Sequence, residues 1–161
     1  MQHEHQSHKV AHEKTMYRKF ALMIALSFIA MFILMYAMVD SFSNVIININ
    51  QFYMAGLMTM AMVIIELAVM SSMYKNKKLN ALILAAGFIA LAGFYFGIRQ
   101  QAAVGDKQFL KSMIPHHAAA ILMVEKANLS DPEVKKLGQD IITAQQAEIA
   151  QMKAKIKDLE K

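Results

Sequence analysis

Cysteine is absent from the 161-residue sequence, and charged residues are few. Without cysteine the chain has no disulfide, no thiolate zinc site and no thiol-based catalysis. Metal binding is not excluded, because histidine and methionine bind metals without a thiolate. A site built from these two residue types also suits an oxidising compartment, in which thiols are liable to be oxidised.

Charged residues make up 18% of the chain and apolar residues 57%, and the mean hydropathy is +0.33. A chain of this length can form one modest soluble domain or a few membrane spans with a small appendage, and the apolar fraction favours the second. The formal charge of +5 is modest. Basic residues flank apolar runs rather than alternating with aromatic residues, so no nucleic-acid partner is expected.

Three apolar runs are long enough to cross the hydrocarbon core of a bilayer, which takes about 20 residues. They occupy residues 20–39, 52–73 and 79–98. A cleaved signal peptide is the alternative for the first run, but the long charged leader and the lack of a clean small-x-small site disfavour it. The sequence therefore predicts three transmembrane helices.

The placement of lysine and arginine predicts the orientation of these helices. Basic residues occur in the leader and in the turn at 75–78, whereas the connection at 40–51 has none. The positive-inside rule then places the N-terminus and the 75–78 turn in the cytoplasm. The predicted organisation is a cytoplasmic histidine-bearing tail at 1–19, a three-span region at 20–98 and an extracytoplasmic helical hairpin domain at 99–161.

Beyond the third run the sequence predicts two soluble helices. Gly105-Asp106 can break and cap the chain, and a helix follows to about Asn128. Ser130-Asp131-Pro132-Glu133 combines a capping-box pattern with a first-turn proline, so a second helix begins there. The short turn between them predicts an antiparallel pair. Pro115 should bend the first helix or mark its start.

The second predicted helix carries an apolar seam of heptad spacing, which requires a partner. The seam residues are Ile142, Gln145, Ile149, Met152, Ile156 and Leu159. Two helices of this size bury too little surface to be stable alone. We therefore expect two hairpins to pair into a four-helix homodimer or a higher oligomer, with membrane anchoring assisting the encounter. The alternative is a monomer packed against its own spans.

Histidine and methionine converge on the predicted hairpin. His116 and His117 lie about level with Glu148, whereas Met113 lies nearer Glu148 and Met152 and one turn before His117. Imidazole and thioether ligands suit copper, above all Cu(I), better than magnesium, calcium or manganese. The alternative is a buried, hydrogen-bonded histidine among packing methionines.

These motifs resemble the domain of unknown function 305 family. The residues that carry the resemblance are Phe109-Leu110-x-x-Met113-Ile114-Pro115-His116-His117-x-x-Ala120-Ile121-x-Met123, then Asp131-Pro132, and then Ile141-Ile142-x-Ala144-Gln145-x-x-Glu148-Ile149-x-x-Met152. The family is ferritin-like in its helical architecture and is associated with copper in several bacterial settings. The resemblance implies an all-α fold, with the hairpin as half of a ferritin-like four-helix bundle anchored in a bacterial inner (plasma) membrane.

The same resemblance implies a metal site. Its ligands would be Met113, His116, His117, Met123, Glu148 and Met152. Glu148 would be either a carboxylate ligand or an acceptor that orients a histidine. A single hairpin differs from relatives with tandem copies, so a site that needs two hairpins depends on dimerisation.

The expected function is binding and buffering of copper, as Cu(I) or Cu(II), at the extracytoplasmic face, in support of tolerance or delivery. Iron and zinc are the alternative metals, and no catalytic residue is predicted. One alternative function is a ferritin-like di-metal oxidase. Such sites use several carboxylates and Glu-x-x-His pairs, and the hairpin has no Glu-x-x-His. The other alternative is a structural or accessory membrane subunit that binds no metal.

Other ligand-like side chains have two interpretations. His3, His5, His8 and His12 form a weaker candidate metal site or a solvated leader. Methionines at four-residue spacing in the first two runs form a thioether track for Cu(I) or fill gaps in helix packing. Glu66, within the second run, is expected to face the bundle or a polar cavity.

Small residues form a stripe in the third run. They are Ala86, Ala90, Gly93 and Gly97. Small residues at this spacing let helices approach closely in lipid, although they are also common in membrane helices in general.

Overall fold

The computed structural model describes the backbone of residues 2–161 and the side chains of residues 13–161, and this part of the chain is helical without strands. The five α-helices are α1 Gln2–Leu34, α2 Ile49–Val69, α3 Lys77–Arg99, α4 Asp106–Lys126 and α5 Pro132–Asp158. Short 3₁₀ helices cover Met35–Met38 and Phe42–Asn44. The predicted all-α class is confirmed.

Within the described part of the chain, three helical segments are long and apolar enough to cross a membrane. They are Glu13–Met38, Ile49–Val69 and Lys77–Arg99, close to the three predicted runs. The second helix begins and ends earlier than predicted. It begins early because the Asn48 side chain accepts a hydrogen bond of 3.0 Å from the Gln51 amide, in the manner of an N-cap.

The residues form two compact units, the first made of 1–32 and 53–100 and the second of 33–52 and 101–161. The first unit has a buried core of Phe20, Val63, Leu67 and Tyr74. Partly buried methionines pack against this core, among them Met62 and Met70, whereas Met54 and Met58 are exposed. Core packing therefore accounts for part of the predicted methionine track.

Aromatic rings lie against glycines where α2 packs on α3. A Cβ on Gly56 would lie 2.6 Å from the Phe94 ring, and a Cβ on Gly97 would lie 3.4 Å from the Tyr53 ring. Gly93 has nothing within 4 Å of its Cβ position. The close contact within the chain therefore uses Gly97 from the predicted stripe and leaves Gly93 open.

In the second unit α4 and α5 pack against each other along their length. Lys107 pairs with Glu160, and His117 pairs with Glu148. Because the residue numbers run in opposite directions, the two helices are antiparallel. Their shared core consists of Ile114, Ala118, Ile121, Ile149, Met152 and Ile156, and Val39 and Ile46 from the segment 33–52 pack against it.

The start of α5 is fixed by a side-chain cap. Asp131 accepts hydrogen bonds of 2.9 Å from the amides of Glu133 and Val134, and Pro132 occupies the first turn. The N-cap is therefore Asp131 and not Ser130, which the capping-box pattern had predicted. Pro115 lies inside α4, so it does not mark the start of that helix.

Candidate metal centre

His117 is fixed at both ring nitrogens on the buried face of α4. The residue is 8% exposed. Its Nδ1 lies 2.9 Å from the Met113 carbonyl oxygen, one turn earlier on the same helix, and its Nε2 lies 2.7 Å from Oε2 of Glu148 on α5. The α-helical i, i−4 spacing supplies the first contact, and the antiparallel packing of α5 supplies the second.

Hydrogen-bond chemistry constrains the protons of this pair. A carbonyl oxygen only accepts, so Nδ1 carries a hydrogen that it donates to Met113. The contact between Nε2 and the carboxylate holds a second proton, on the imidazole or on Glu148. Nε2 is therefore the nitrogen at which a metal ion can replace a proton, while the bond from Nδ1 keeps the ring in place.

His116 lies beside His117 but outside the core. It is exposed, and the two ring centroids are 6.4 Å apart with an interplanar angle of 62°. The structure thus brings the two imidazoles together as neighbours, one buried and one accessible.

The methionines of the candidate site are likewise partly buried and partly exposed. Met152 is buried in the α4–α5 core, and Met113 packs against that core. Met123 is 53% exposed, as is Phe109 at 52%. Phe109, His116 and Met123 are seven residues apart in turn, so they form one exposed stripe on α4. Of the six predicted ligands, Met113, His117, Glu148 and Met152 lie where α4 meets α5, and His116 and Met123 lie on this stripe.

Nitrogen and oxygen donors alone do not complete a site. Among residues 13–161, no group of three or more histidine, aspartate and glutamate side chains is placed to hold a metal ion. The predicted leader site at His3, His5, His8 and His12 lies outside the described side chains.

The segment 33–52 supports α4 through contacts that the sequence analysis did not predict. The side-chain amide of Asn50 donates to Ser112 Oγ at 3.2 Å, and the Ile49 amide donates to Gln108 Oε1 at 3.2 Å. Lys153 of α5 donates to Asn44. The only signal in the sequence is the recurrence of asparagine at 44, 48 and 50 within an otherwise apolar connection. The bond to Ser112 holds α4 one turn before His116.

Glu66 has a phenol as its partner. The Tyr74 hydroxyl donates to Glu66 Oε1 at 3.3 Å. Burial raises the pKa of the Tyr74 hydroxyl, and the negative charge of Glu66 raises it further. The partner of Glu66 is thus a tyrosine from the turn after α2.

Taken together, fold and site define an all-helical protein with three helices of membrane-spanning length and an antiparallel helix pair rich in histidine and methionine. Residues 50–156 match the family described as "Domain of unknown function (DUF305)", and the chain belongs to this family. The match extends well before the histidine motif and takes in α2 and α3.

A curated relative comes from a giant virus. The chain is 35% identical over 134 residues to "Uncharacterized protein L153" of Acanthamoeba polyphaga mimivirus, which covers 81% of this chain and 86% of the viral protein. No solved structure gives a significant match.

Proposed function

We propose that the protein is a membrane-anchored metal-binding protein that buffers or delivers copper at the extracytoplasmic face of a plasma-type membrane. The observation that carries the proposal is the pairing of His117 Nε2 with Glu148 at 2.7 Å. Met113 and Met152 belong to the same core, and the His116 ring is adjacent.

The donor set fits copper by its chemistry. Imidazole nitrogen with thioether sulfur is a soft and borderline combination, which suits Cu(I). Glu148 is 52% exposed in its side chain, so it can turn away from Nε2 without a large rearrangement of the core. When bound, copper supplies a soft cation that thioethers hold well. The chain supplies a ring already oriented through Nδ1 and a carboxylate that accepts the displaced proton or becomes a ligand.

Completion of the shell from a second copy is part of the proposal. The exposed stripe of Phe109, His116 and Met123 carries one imidazole, one thioether and one aromatic ring. Two α4–α5 pairs meeting through such stripes would form a ferritin-like four-helix bundle, and each would gain donors that one chain cannot supply.

The proposed orientation follows from charge and from contacts. The 75–78 turn is basic and would face the cytoplasm. Residues 33–52 pack in one compact unit with α4 and α5. This supports the placement of the 40–51 connection and the helix pair on the same side of the membrane, opposite the N-terminus.

Copper affinity of the full chain in detergent tests the proposal. We expect a Cu(I) competition titration to give one tight site per chain, and the double variant His116→Ala with His117→Ala should weaken it by at least about a hundredfold. Met113→Leu with Met152→Leu should also weaken binding. Its fold should be kept, since exchange between methionine and leucine conserves volume and costs less than about 1.5 kcal/mol.

A matched control removes the leader histidines instead. Alanine at 3, 5, 8 and 12 leaves the hairpin intact, so the tight site should persist. Wild-type Cu(I) affinity in both hairpin variants, or loss of the tight site in the leader variant alone, would refute the proposal. The mass of the metal-loaded particle then reports whether two chains share the site.

A further inference from the structure

A cavity of about 440 Å³ lies between α1 and the start of α3 in the first unit. It is lined by Glu13, Lys14, Tyr17, Arg18, Asn76 and Leu79. No part of the proposed copper site lines it.

Hydrogen bonds fix one wall of this cavity. The Tyr17 hydroxyl donates to Asn80 Oδ1 at 2.7 Å, and Asn80 Nδ2 donates to the Tyr74 carbonyl at 2.7 Å. Asn76 caps α3 by accepting from the Leu79 amide at 3.0 Å. The Tyr17 and Tyr74 rings lie 5.5 Å apart. The wall is therefore ordered without a ligand, which lowers the entropic cost of binding one.

The charge of the lining favours an anion. Lys14 and Arg18 are one helical turn apart and exposed, and Glu13 is the single acidic residue among the lining side chains. Within residues 13–161, neither Lys14 nor Arg18 has an ion-pair partner. The N-terminus of α3 adds a partial positive charge at Asn76. A guanidinium binds phosphate oxygens in a bidentate manner, whereas an ammonium acts as a point charge.

We propose that this cavity binds the phosphate headgroup of an anionic phospholipid. The inference rests on the membrane insertion proposed above, which places Lys14 and Arg18 of α1 and the start of α3 at the cytoplasmic surface. Basic pockets between transmembrane helices on that side bind anionic headgroups. Leu79 lines the same cavity at the start of an apolar helix, so an acyl chain can follow α3 while its phosphate contacts Lys14 and Arg18.

Lipid binding to the full chain in detergent tests this assignment. Native mass spectrometry would count phosphatidylglycerol and phosphatidylcholine molecules retained by the protein over a lipid titration. We expect phosphatidylglycerol to bind at least about tenfold more tightly, and Lys14→Gln with Arg18→Gln to abolish this preference.

A matched control variant also removes two positive charges, from residues outside the cavity lining. Lys19→Gln with Lys75→Gln neutralises two exposed basic residues at the same end of the helices, and neither residue lines the cavity. Its affinity for phosphatidylglycerol should fall by less than about threefold, since isolated exposed charges contribute little. Equal losses in the two double variants would mean diffuse attraction and would overturn the inference.

A soluble phosphate ester distinguishes a lipid headgroup from a soluble ligand, because both present a phosphate group to the cavity. Glycerol 3-phosphate should not displace phosphatidylglycerol at comparable concentration, and full displacement would assign the cavity to a soluble ligand instead. Membrane insertion has its own readout, because alkaline carbonate should not release the chain from membranes. Release by carbonate would refute the insertion, while the headgroup titration in detergent would report on the cavity independently.

Discussion

At the scale of single residues, the two adjacent histidines have different structural roles. His117 is buried with both ring nitrogens bonded, whereas His116 is exposed. In metal-free buffer with chelator, His117→Ala should lower the free energy of unfolding by about 1–3 kcal/mol, through a cavity and two lost hydrogen bonds. His116→Ala should change it by less than about 0.5 kcal/mol. Chemical unfolding followed by circular dichroism measures both.

This pair of variants also separates structure from metal binding. If the two variants are equally stable, His117 is not the ring that packs in the α4–α5 core. If His116→Ala is as stable as wild type yet binds copper more weakly, the exposed ring is a ligand and not a packing residue.

At the scale of helices, the start of α5 depends on one carboxylate. Asp131 accepts from two amides that otherwise lack intrahelical partners. Asp131→Ala should therefore destabilise the chain by about 0.5–2 kcal/mol. Ser130→Ala, one residue earlier and exposed, should have almost no effect. If Ser130→Ala lowered the unfolding midpoint more than Asp131→Ala, Ser130 would be the N-cap, as the capping-box pattern predicts.

An ion pair links Lys107, at the start of α4, to Glu160, two residues after the end of α5. Lys107 Nζ lies 2.7 Å from Glu160 Oε1, and this hydrogen bond lowers the pKa of the Glu160 carboxyl below its ordinary value of 4.5. Because the folded pKa is depressed, the stabilisation is present above that ordinary value and is lost as the pH falls through the lowered one.

The melting temperature should report this linkage. On acidification from about pH 6 to about pH 3, the wild type should lose more stability than Glu160→Gln, and Lys107→Gln should behave like Glu160→Gln. The difference should shrink in high salt, because the pair is exposed. Parallel melting curves at every pH would mean that the pair has no effect on stability.

Much of this helical architecture could be predicted from local sequence. Apolar runs of about 20 residues define α2, α3 and the second half of α1, and Pro132 after a short turn defines the start of α5. Contacts between distant residues could not be predicted in the same way. Neutral asparagine and serine side chains about sixty positions apart, such as Asn50 and Ser112, carry no pairing signal in one sequence. Which glycine is packed, Gly56 or Gly93, depends on the side chain opposite it.

The candidate site, too, could be predicted from the sequence only in part. The sequence predicted that His117 lies level with Glu148 and that Met152 lies in the seam; His117 contacts Glu148, and both His117 and Met152 are buried in the structure. The spacing did not predict that Met113 would contribute its backbone carbonyl to the imidazole. That contact depends on the rotamer of His117, which the spacing alone does not fix.

At the scale of the whole molecule, the family match covers apolar helices as well as the helix pair. It begins at residue 50 and ends at 156, so it takes in α2 and α3 together with α4 and α5. The match therefore includes two of the three apolar helices, and α1 lies before it. A copper role for the helix pair should then depend on its attachment to these helices.

The absence of cysteine makes the proposed topology directly testable, because every introduced thiol is a unique probe. Ser43→Cys in the connection and Gln146→Cys on α5 are both exposed positions of the second unit. Both should react with a membrane-impermeant maleimide in intact cells. Lys77→Cys, at the basic turn, should react only after permeabilisation. Labelling of Ser43→Cys and Gln146→Cys from opposite sides would contradict three spans, because the two crossings by α2 and α3 return the chain to the side on which the connection lies.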